Sequence, residues 1–302
     1  VSQQRTIAQK IACQGIGLHS GEPAGLTLVP AGVGAGVVFV CRQGDGVIEI
    51  PAAEDFVSST ANATSLSRKG ARVATVEHLL ATLRARGVDN VRVEVEGPEI
   101  PAMDGSAASF DDLIRSAGLV AQPQLRPLLQ IRHPVSYTDG LRSIRIEPSR
   151  VFRVSYGIEF QHPAIGRQTL EIEDLTPACF EREIARARTF GFLEEVDALR
   201  RAGLARGASL ENTVVLDASG VMNEGGLRWP DEFVRHKVLD LLGDLALIGY
   251  PIRGHVQVER GGHAIHRALL QELRQHPEAW QLVAPESPSS LPGVPTESLS
   301  SL

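Results

Sequence analysis

The two halves of this 302-residue chain spell the same succession of elements, and a chain that repeats itself has few folds open to it. In the first half, Gly25-Leu26-Thr27-Leu28-Val29-Pro30 alternates apolar and polar residues up to a proline, and Gly36-Val37-Val38-Phe39-Val40 follows. In the second, Ser143-Ile144-Arg145-Ile146-Glu147-Pro148 is followed by residues 151–158. Each pair predicts strand–turn–strand. Each half then offers helix, strand and helix. In the first these are 73–86, ended by Gly87, then 91–95 and 107–116. In the second they are 232–247, ended by Gly249, then 255–258 and 264–275. This predicts an α+β protein of two similar domains, 1–122 and 123–284. The two are expected to join near Gly118 to Arg126, where Pro123 and Pro127 punctuate the chain. Two unrelated α+β modules would give a looser version of the same echo. Residues 285–302 are rich in Ser and Pro and read as a disordered tail.

The composition removes several classes of function. A net charge of −6, with no Lys/Arg run longer than two residues, gives no phosphate-binding patch, so no nucleic-acid partner is expected. No apolar run approaches the ~18 residues of a membrane span, and the N-terminus lacks a signal-peptide core. Val1 in place of Met is read as a start further upstream. Cys13, Cys41 and Cys179 are odd in number and far apart, which suits neither a disulfide framework nor a Cys-x2-Cys metal pair, and a cytoplasmic location is expected.

The helix at 232–247 carries the chemistry. His236, Asp240 and Asp244 lie at i, i+4 and i+8, on one face, among Phe233, Val234, Leu239, Leu241 and Leu242. Ionisable groups turned toward a core cost several kcal/mol unless paired, on the order of 2–7 for a neutral polar group alone. A metal is one such partner, and His with carboxylate at i, i+4 gives ligands from successive turns. A surface or capping arrangement is the plainer alternative for such a pair. In the first half, Val76-Glu77-His78-Leu79-Leu80 again sets a His among apolar residues with a Glu before it. If equivalent helices face each other, His78, His236 and Asp240 make a three-ligand set with one open position, and Glu77 leans over that position. Taken singly, Glu77 reads as a solvated helix residue and His78 as a satisfied core histidine.

Eight ordered segments resemble the UDP-3-O-acyl-N-acetylglucosamine deacetylase family, the zinc amidases of lipid A synthesis. They are Gln4-Arg5-Thr6, Gly15-Ile16-Gly17-Leu18-His19-Ser20-Gly21, Thr75-Val76-Glu77-His78-Leu79, the stretch from Pro98 through Asp104-Gly105 to Ala107, His162-Pro163-Ala164-Ile165, Ala187-Arg188-Thr189-Phe190-Gly191-Phe192, the helix from Phe233 to Asp244, and Gly262-His263. The resemblance implies a layered β-α-α-β sandwich with helices between sheets and the active site at the domain junction. It implies one catalytic Zn2+ on His78, His236 and Asp240, a ligand set that suits Fe2+ as well. By the same resemblance Glu77 is the general base for the attacking water, Thr189 helps hold the oxyanion, and His263 protonates the leaving amine with Asp244 as its counter-charge. Lys237, Phe160, His162, His19, Phe190 and Arg260 are expected to contact substrate, with Phe160 stacking on uracil and Arg260 pairing with the diphosphate. An insert near 190–215 is expected to form an acyl tunnel lined by Phe192, Leu193, Val196, Leu199, Leu204, Leu210 and Val214; an amphipathic helix covering the core is the other reading.

The implied partner is a small acylated UDP-amino sugar, met by a monomer, with transient proximity to a membrane surface. Two departures stand out. Ala61 occupies a position that is often larger in the family, and His266 stands where the family tends to Asn; His266 is expected to cap or face solvent. A related amidase for another acylated amino sugar, or a silent binding protein, remain the alternatives. Acyl-chain length is not legible.

Overall fold

The computed structural model describes residues 3–44 and 46–284; the expected tail at 285–302 lies outside the described residues. The first half opens with β1 (Gln3–Ile7), β2 (Ile11–Ile16), β3 (Pro23–Pro30), β4 (Val37–Gln43) and β5 (Gly46–Pro51), then a small sheet of β6 (Val57–Ser59), β7 (Ser65–Arg68) and β8 (Ala71–Val73). Helix α1 (Glu77–Arg86), β9 (Val91–Glu96) and α2 (Ala108–Ala117) complete it. The alternation read in the sequence is the alternation of the sheet: Leu26 and Leu28, and Val91, Val93 and Val95, are buried, while Arg92 and Glu94 face outward.

The second half begins with β10 (Leu119–Leu125) and β11 (Leu128–Ile131), then β12 (Val135–Asp139), β13 (Arg142–Glu147), β14 (Phe152–Glu159) and β15 (Arg167–Ile172). A short α3 (Pro177–Cys179) leads to β16 (Phe190–Phe192), α4 (Val196–Arg201), β17 (Val214–Asp217) and β18 (Gly220–Val221). Helix α5 (Glu232–Ala246), β19 (Ile252–Glu259), α6 (His263–Gln275) and β20 (Trp280–Val283) close it.

The echo between halves is one of topology. The first sheet has the order β2-β3-β9-β4-β5, with β4 and β9 parallel and the other pairs antiparallel. In the second, β12-β13-β19-β14-β15 has the same order and directions, the parallel pair being β14 and β19. The second half adds β11 beside β19, and β20 beside β11. Helices α1 and α5, the matching pair, pack on each other between the sheets, and one apolar core runs through both halves. This is the two-domain α+β sandwich, with two helical layers inside.

The segment expected to join the halves is mostly strand: β10 pairs antiparallel with β1, and Pro123 is tolerated because this two-stranded ribbon has free edges. One local expectation is corrected. The helix expected from residue 73 begins at Glu77, after β8 ends at Val73. Thr75 sits between them at φ +58, a left-handed conformation that a β-branched residue rarely adopts. Its hydroxyl donates to Glu99 Oε1 at 2.6 Å, which helps hold the turn. No helix of the described residues is long and apolar enough to cross a membrane.

The α1–α5 contact is a backbone contact. A Cβ placed on Gly243 would lie 2.0 Å from the Glu77 carbonyl oxygen and 2.7 Å from Glu77 Cα. Gly243→Ala gains about 1 kcal/mol of helix propensity, yet it must push α1 away from α5. The expected net result is destabilisation of about 1–3 kcal/mol, read by chemical denaturation. An unchanged midpoint would show that the helices do not need this approach.

Candidate active site

Helices α1 and α5 bring the predicted residues to one buried cluster. His78 Nε2 lies 3.5 Å and His236 Nε2 3.3 Å from the same oxygen, Asp240 Oδ1. The two imidazoles stand perpendicular, centroids 5.0 Å apart. Tetrahedral bonds of about 2.0–2.1 Å to nitrogen and oxygen separate neighbouring donors by roughly 3.3 Å. Both distances to Asp240 match that spacing, all three donor atoms lie within 4.8 Å of one another, and the chemistry of the set, two imidazoles and a carboxylate, suits zinc.

Each donor is oriented from behind. His236 Nδ1 donates to the Ala187 carbonyl at 3.1 Å, which turns the Nε2 lone pair toward the cluster. Burial pulls the His236 pKa down to about 4, so the ring is neutral at neutral pH. Lys237 Nζ holds Asp240 Oδ2 at 2.9 Å and leaves Oδ1 to the histidines. Burial opposes ionisation of Asp240, but His236, Lys237 and His78 overcome it and hold the carboxyl well below its usual range.

Glu77 and His263 flank this set. Glu77 accepts the Thr64 backbone N–H at 3.1 Å through Oε2, and its Oε1 lies 3.9 Å from His263 Nε2. Burial raises Glu77 to about 7, against the pull of His263 and His78. His263, at the first position of α6, donates from Nδ1 to Asp244 Oδ2 at 2.7 Å. Burial alone would lower its pKa; the charge and hydrogen bond of Asp244 reverse that and raise it to about 9. Asp244 is correspondingly held at about 2 despite its burial.

The sequence did not reveal what else converges on Asp244. The Thr64 hydroxyl donates to Oδ1 at 2.5 Å. His266 Nδ1 donates to Oδ2 at 2.8 Å, and Tyr156 donates its hydroxyl to His266 Nε2 at 2.9 Å. His266 was expected to cap or face solvent. It is fully buried, because α6 turns it toward α5 one turn after His263, and burial lowers its pKa so that the ring acts as a neutral link. The remaining signal was Thr64-Ser65, a polar pair beside apolar neighbours, which nothing in sequence distance ties to residue 244.

The cluster opens into a cavity of about 1100 Å³ whose walls include His19, Phe160, Thr189, Phe190, Lys237 and Arg260. Thr189 is fixed by backbone bonds to Gly105 and Val214, and Arg188 beside it clasps the buried Glu232 at the start of α5. Gly105 is required there: at φ +79, a Cβ would strike the Asn212 carbonyl oxygen at 1.8 Å. Phe190 meets Phe160, Phe192 and Phe233 edge-on, and Lys237 lies 5.5 Å over its ring. The His19 backbone and Ser20 are tied to the buried Glu99, while His19 Nε2 is buried without a partner among the described residues. Arg260 is already paired with Glu159.

Some expected residues lie elsewhere. His162 is outside the cavity wall; its Nε2 donates to the Asp217 carbonyl at 2.9 Å and Nδ1 accepts from Ala164, so it closes a turn. In the insert Phe192, Leu193, Val196, Leu199 and Leu210 line the cavity, whereas Val214 is buried on the other side of β17 and Leu204 points away. Ala61 is exposed and does not line the cavity, although Thr60 and Asn62 do.

Residues 4–275 match LpxC, the UDP-3-O-acyl N-acetylglycosamine deacetylase family. Proteins named UDP-3-O-acyl-N-acetylglucosamine deacetylase are similar over nearly their whole length. That of Oleidesulfovibrio alaskensis is 50% identical over 277 residues, covering 92% of this chain and 90% of the relative. That of Myxococcus xanthus is 48% identical over 280 residues, covering 93% and 89%, and that of Nitratidesulfovibrio vulgaris 50% over 293, covering 95% and 94%. The chain belongs to this deacetylase family, a family of hydrolases.

The electrostatics give a direct check. In Asp244→Asn the His263 imidazole loses the carboxylate that raises its pKa, so burial prevails and its NMR titration should fall from about 9 to below 6.5. A titration that stays near 9 would mean that another group holds the proton.

Proposed function

We propose that this protein hydrolyses the N-acetyl group of UDP-3-O-acyl-N-acetylglucosamine in a zinc-dependent reaction, the committed step of lipid A synthesis, in the cytoplasm. The observation that carries the reading is the triangle of His78, His236 and Asp240 at the floor of a cavity whose far wall is apolar. Leu193, Leu210 and Met222 remain substantially exposed there, as a surface awaiting an acyl chain would be.

Bound at His78, His236 and Asp240, zinc would polarise the acetyl carbonyl and make water acidic enough to be deprotonated near neutral pH. Glu77 Oε1 takes a proton from water as the water oxygen bonds to the acetyl carbon. The Thr189 side chain, on the wall beside the ligand set, donates to the carbonyl oxygen as negative charge collects there. His263 Nε2, kept protonated by Asp244, gives its proton to the glucosamine nitrogen as the C–N bond breaks, so the amine leaves neutral beside acetic acid, which loses its proton to solvent as acetate. His263 and Glu77, 3.9 Å apart, set an acid and a base side by side, within reach of one reacting group. A purely binding protein would have no use for both.

Substrate contacts follow the cavity. The apolar wall of the insert takes the acyl chain, and Lys237 and His19 line the way to the reacting carbon. Phe160 and Arg260 are the residues assigned to the nucleotide, with Arg260 shared between Glu159 and the diphosphate. His162 positions the segment behind them.

The test is acetate release from UDP-3-O-acyl-N-acetylglucosamine by metal-stripped protein, before and after one equivalent of zinc. Release that appears only with zinc is expected. No release despite stoichiometric zinc binding would reject the substrate and favour another acylated amino sugar. Glu77→Ala should keep its zinc and lose roughly 10²–10⁴-fold in kcat; undiminished turnover would overturn its role as base.

A further inference from the structure

A second cavity, of about 790 Å³, lies at the opposite end of the α1–α5 pair from the ligand set. It is formed where both helices end, by Arg84 to Gly87 of α1 and Leu242, Leu245 and Ala246 of α5, with the strand ends at Leu128 and Ile252. In a chain of net charge −6, its wall holds seven arginines and one carboxylate, Asp174.

Arg86 is held by Asp111 and Glu181, while Arg126 is satisfied only in part, its Nε by Asp89 at 2.6 Å. The others, Arg5, Arg84, Arg132, Arg150 and Arg253, have no carboxylate within 4.0 Å among the described residues. Arg84 makes one hydrogen bond, to the Ala246 carbonyl at 3.2 Å, which caps the end of α5. Helix capping explains that contact and none of the rest. Arg126 lies against Gly87, and its Nη2 is buried without a partner among the described residues. Arg84 is pushed down to about 10 by burial and by the neighbouring Arg126 charge. Two guanidinium groups held together out of water repel each other, and an anion between them removes both the repulsion and the unmet donor.

We propose that this cavity is a binding site for a phosphoryl anion, separate from the catalytic cavity. Guanidinium groups bind phosphate oxygens through paired N–H donors, and the volume falls within the range of small-ligand pockets, roughly 300–1,000 Å³. The phosphoryl group belongs either to a free phosphorylated molecule or to an anionic lipid headgroup.

The test titrates the full chain with inorganic pyrophosphate by calorimetry and, separately, with vesicles of phosphatidylglycerol in phosphatidylcholine by co-sedimentation. The Arg260→Gln variant removes a cation of the catalytic cavity and is run alongside. Saturable binding of pyrophosphate, of the vesicles, or of both is expected to survive Arg260→Gln and to weaken at least tenfold in Arg132→Gln/Arg253→Gln, with deacetylase turnover unchanged. Pyrophosphate binding alone identifies a free ligand; vesicle binding alone identifies a headgroup. Val151→Glu, which sets a carboxylate on the exposed rim, should give the same loss without touching an arginine. The proposal is overturned if neither probe binds, if the variants at 132, 253 and 151 bind as the parent does, or if Arg260→Gln alone abolishes binding.

Discussion

The site depends on one backbone contact. Glu77 and His78 begin α1 in the first half; His236, Asp240 and Asp244 lie along α5 in the second. Neither helix carries a usable set by itself. They become one cluster because Gly243 has no side chain and lets α5 rest on the carbonyl and Cα of Glu77. A contact of that kind leaves little freedom to slide, since any shift opens a gap in a close-packed interior. The 3.5 Å between His78 Nε2 and Asp240 Oδ1, donors drawn from the two halves, therefore rests on a main-chain contact as well as on side-chain rotamers. The left-handed Thr75, tied to Glu99, determines where α1 starts and hence which residue faces Gly243.

The buried charges make sense only as a unit. Glu77, Asp240, Asp244, His236 and His263 are all nearly inaccessible, and each carboxylate separately would be expensive to bury. Asp244 is stabilised by three donors and one positive charge, Asp240 by Lys237 and the flanking imidazoles. Glu77 has the poorest compensation, one backbone N–H, and is the carboxyl whose pKa rises. That inequality fits the proposed roles: a well-satisfied carboxylate suits an orienting group or a ligand, and the least satisfied one suits a group that exchanges a proton near neutral pH.

Much of the fold was legible because its signals are local. Alternation in 25–30 and 91–95, glycine stops at Gly87 and Gly249, and the i, i+4, i+8 face of α5 are read within one or two turns of chain. The likeness of the two halves was legible in their succession of elements, whereas the strand order inside each sheet came only with the pairing. What stayed hidden was set by partners distant in sequence. The burial of His266 depends on Asp244 and on Tyr156, 110 residues away; Thr64 meets Asp244 across 180. The β10 strand was masked by Pro123 and appears only because β1 offers an edge. Thr75 gave no warning, since a threonine in a left-handed turn violates its own preference. The misplacing of His162 and Val214 has the same origin: sequence order puts them beside lining residues, but a turn and the pleat of β17 point them elsewhere.

The aromatic wall joins the two ends of the cavity into one device. Phe190 lies edge-on to Phe233 of α5 and near the His236 ring, while its other neighbours, Phe160 and Phe192, reach into the apolar side. Lys237, which holds Asp240 Oδ2, rests its ammonium over the same ring. On the proposed function, an acyl chain entering along Phe192 and Val196 would press on a ring that is itself packed against a metal-ligand candidate and its supporting lysine. Apolar packing against Phe190 can stiffen the Asp240–Lys237 pair without any polar contact between the two. Binding energy gathered far from the reacting bond thus has a short, contiguous path to the groups that must be held still.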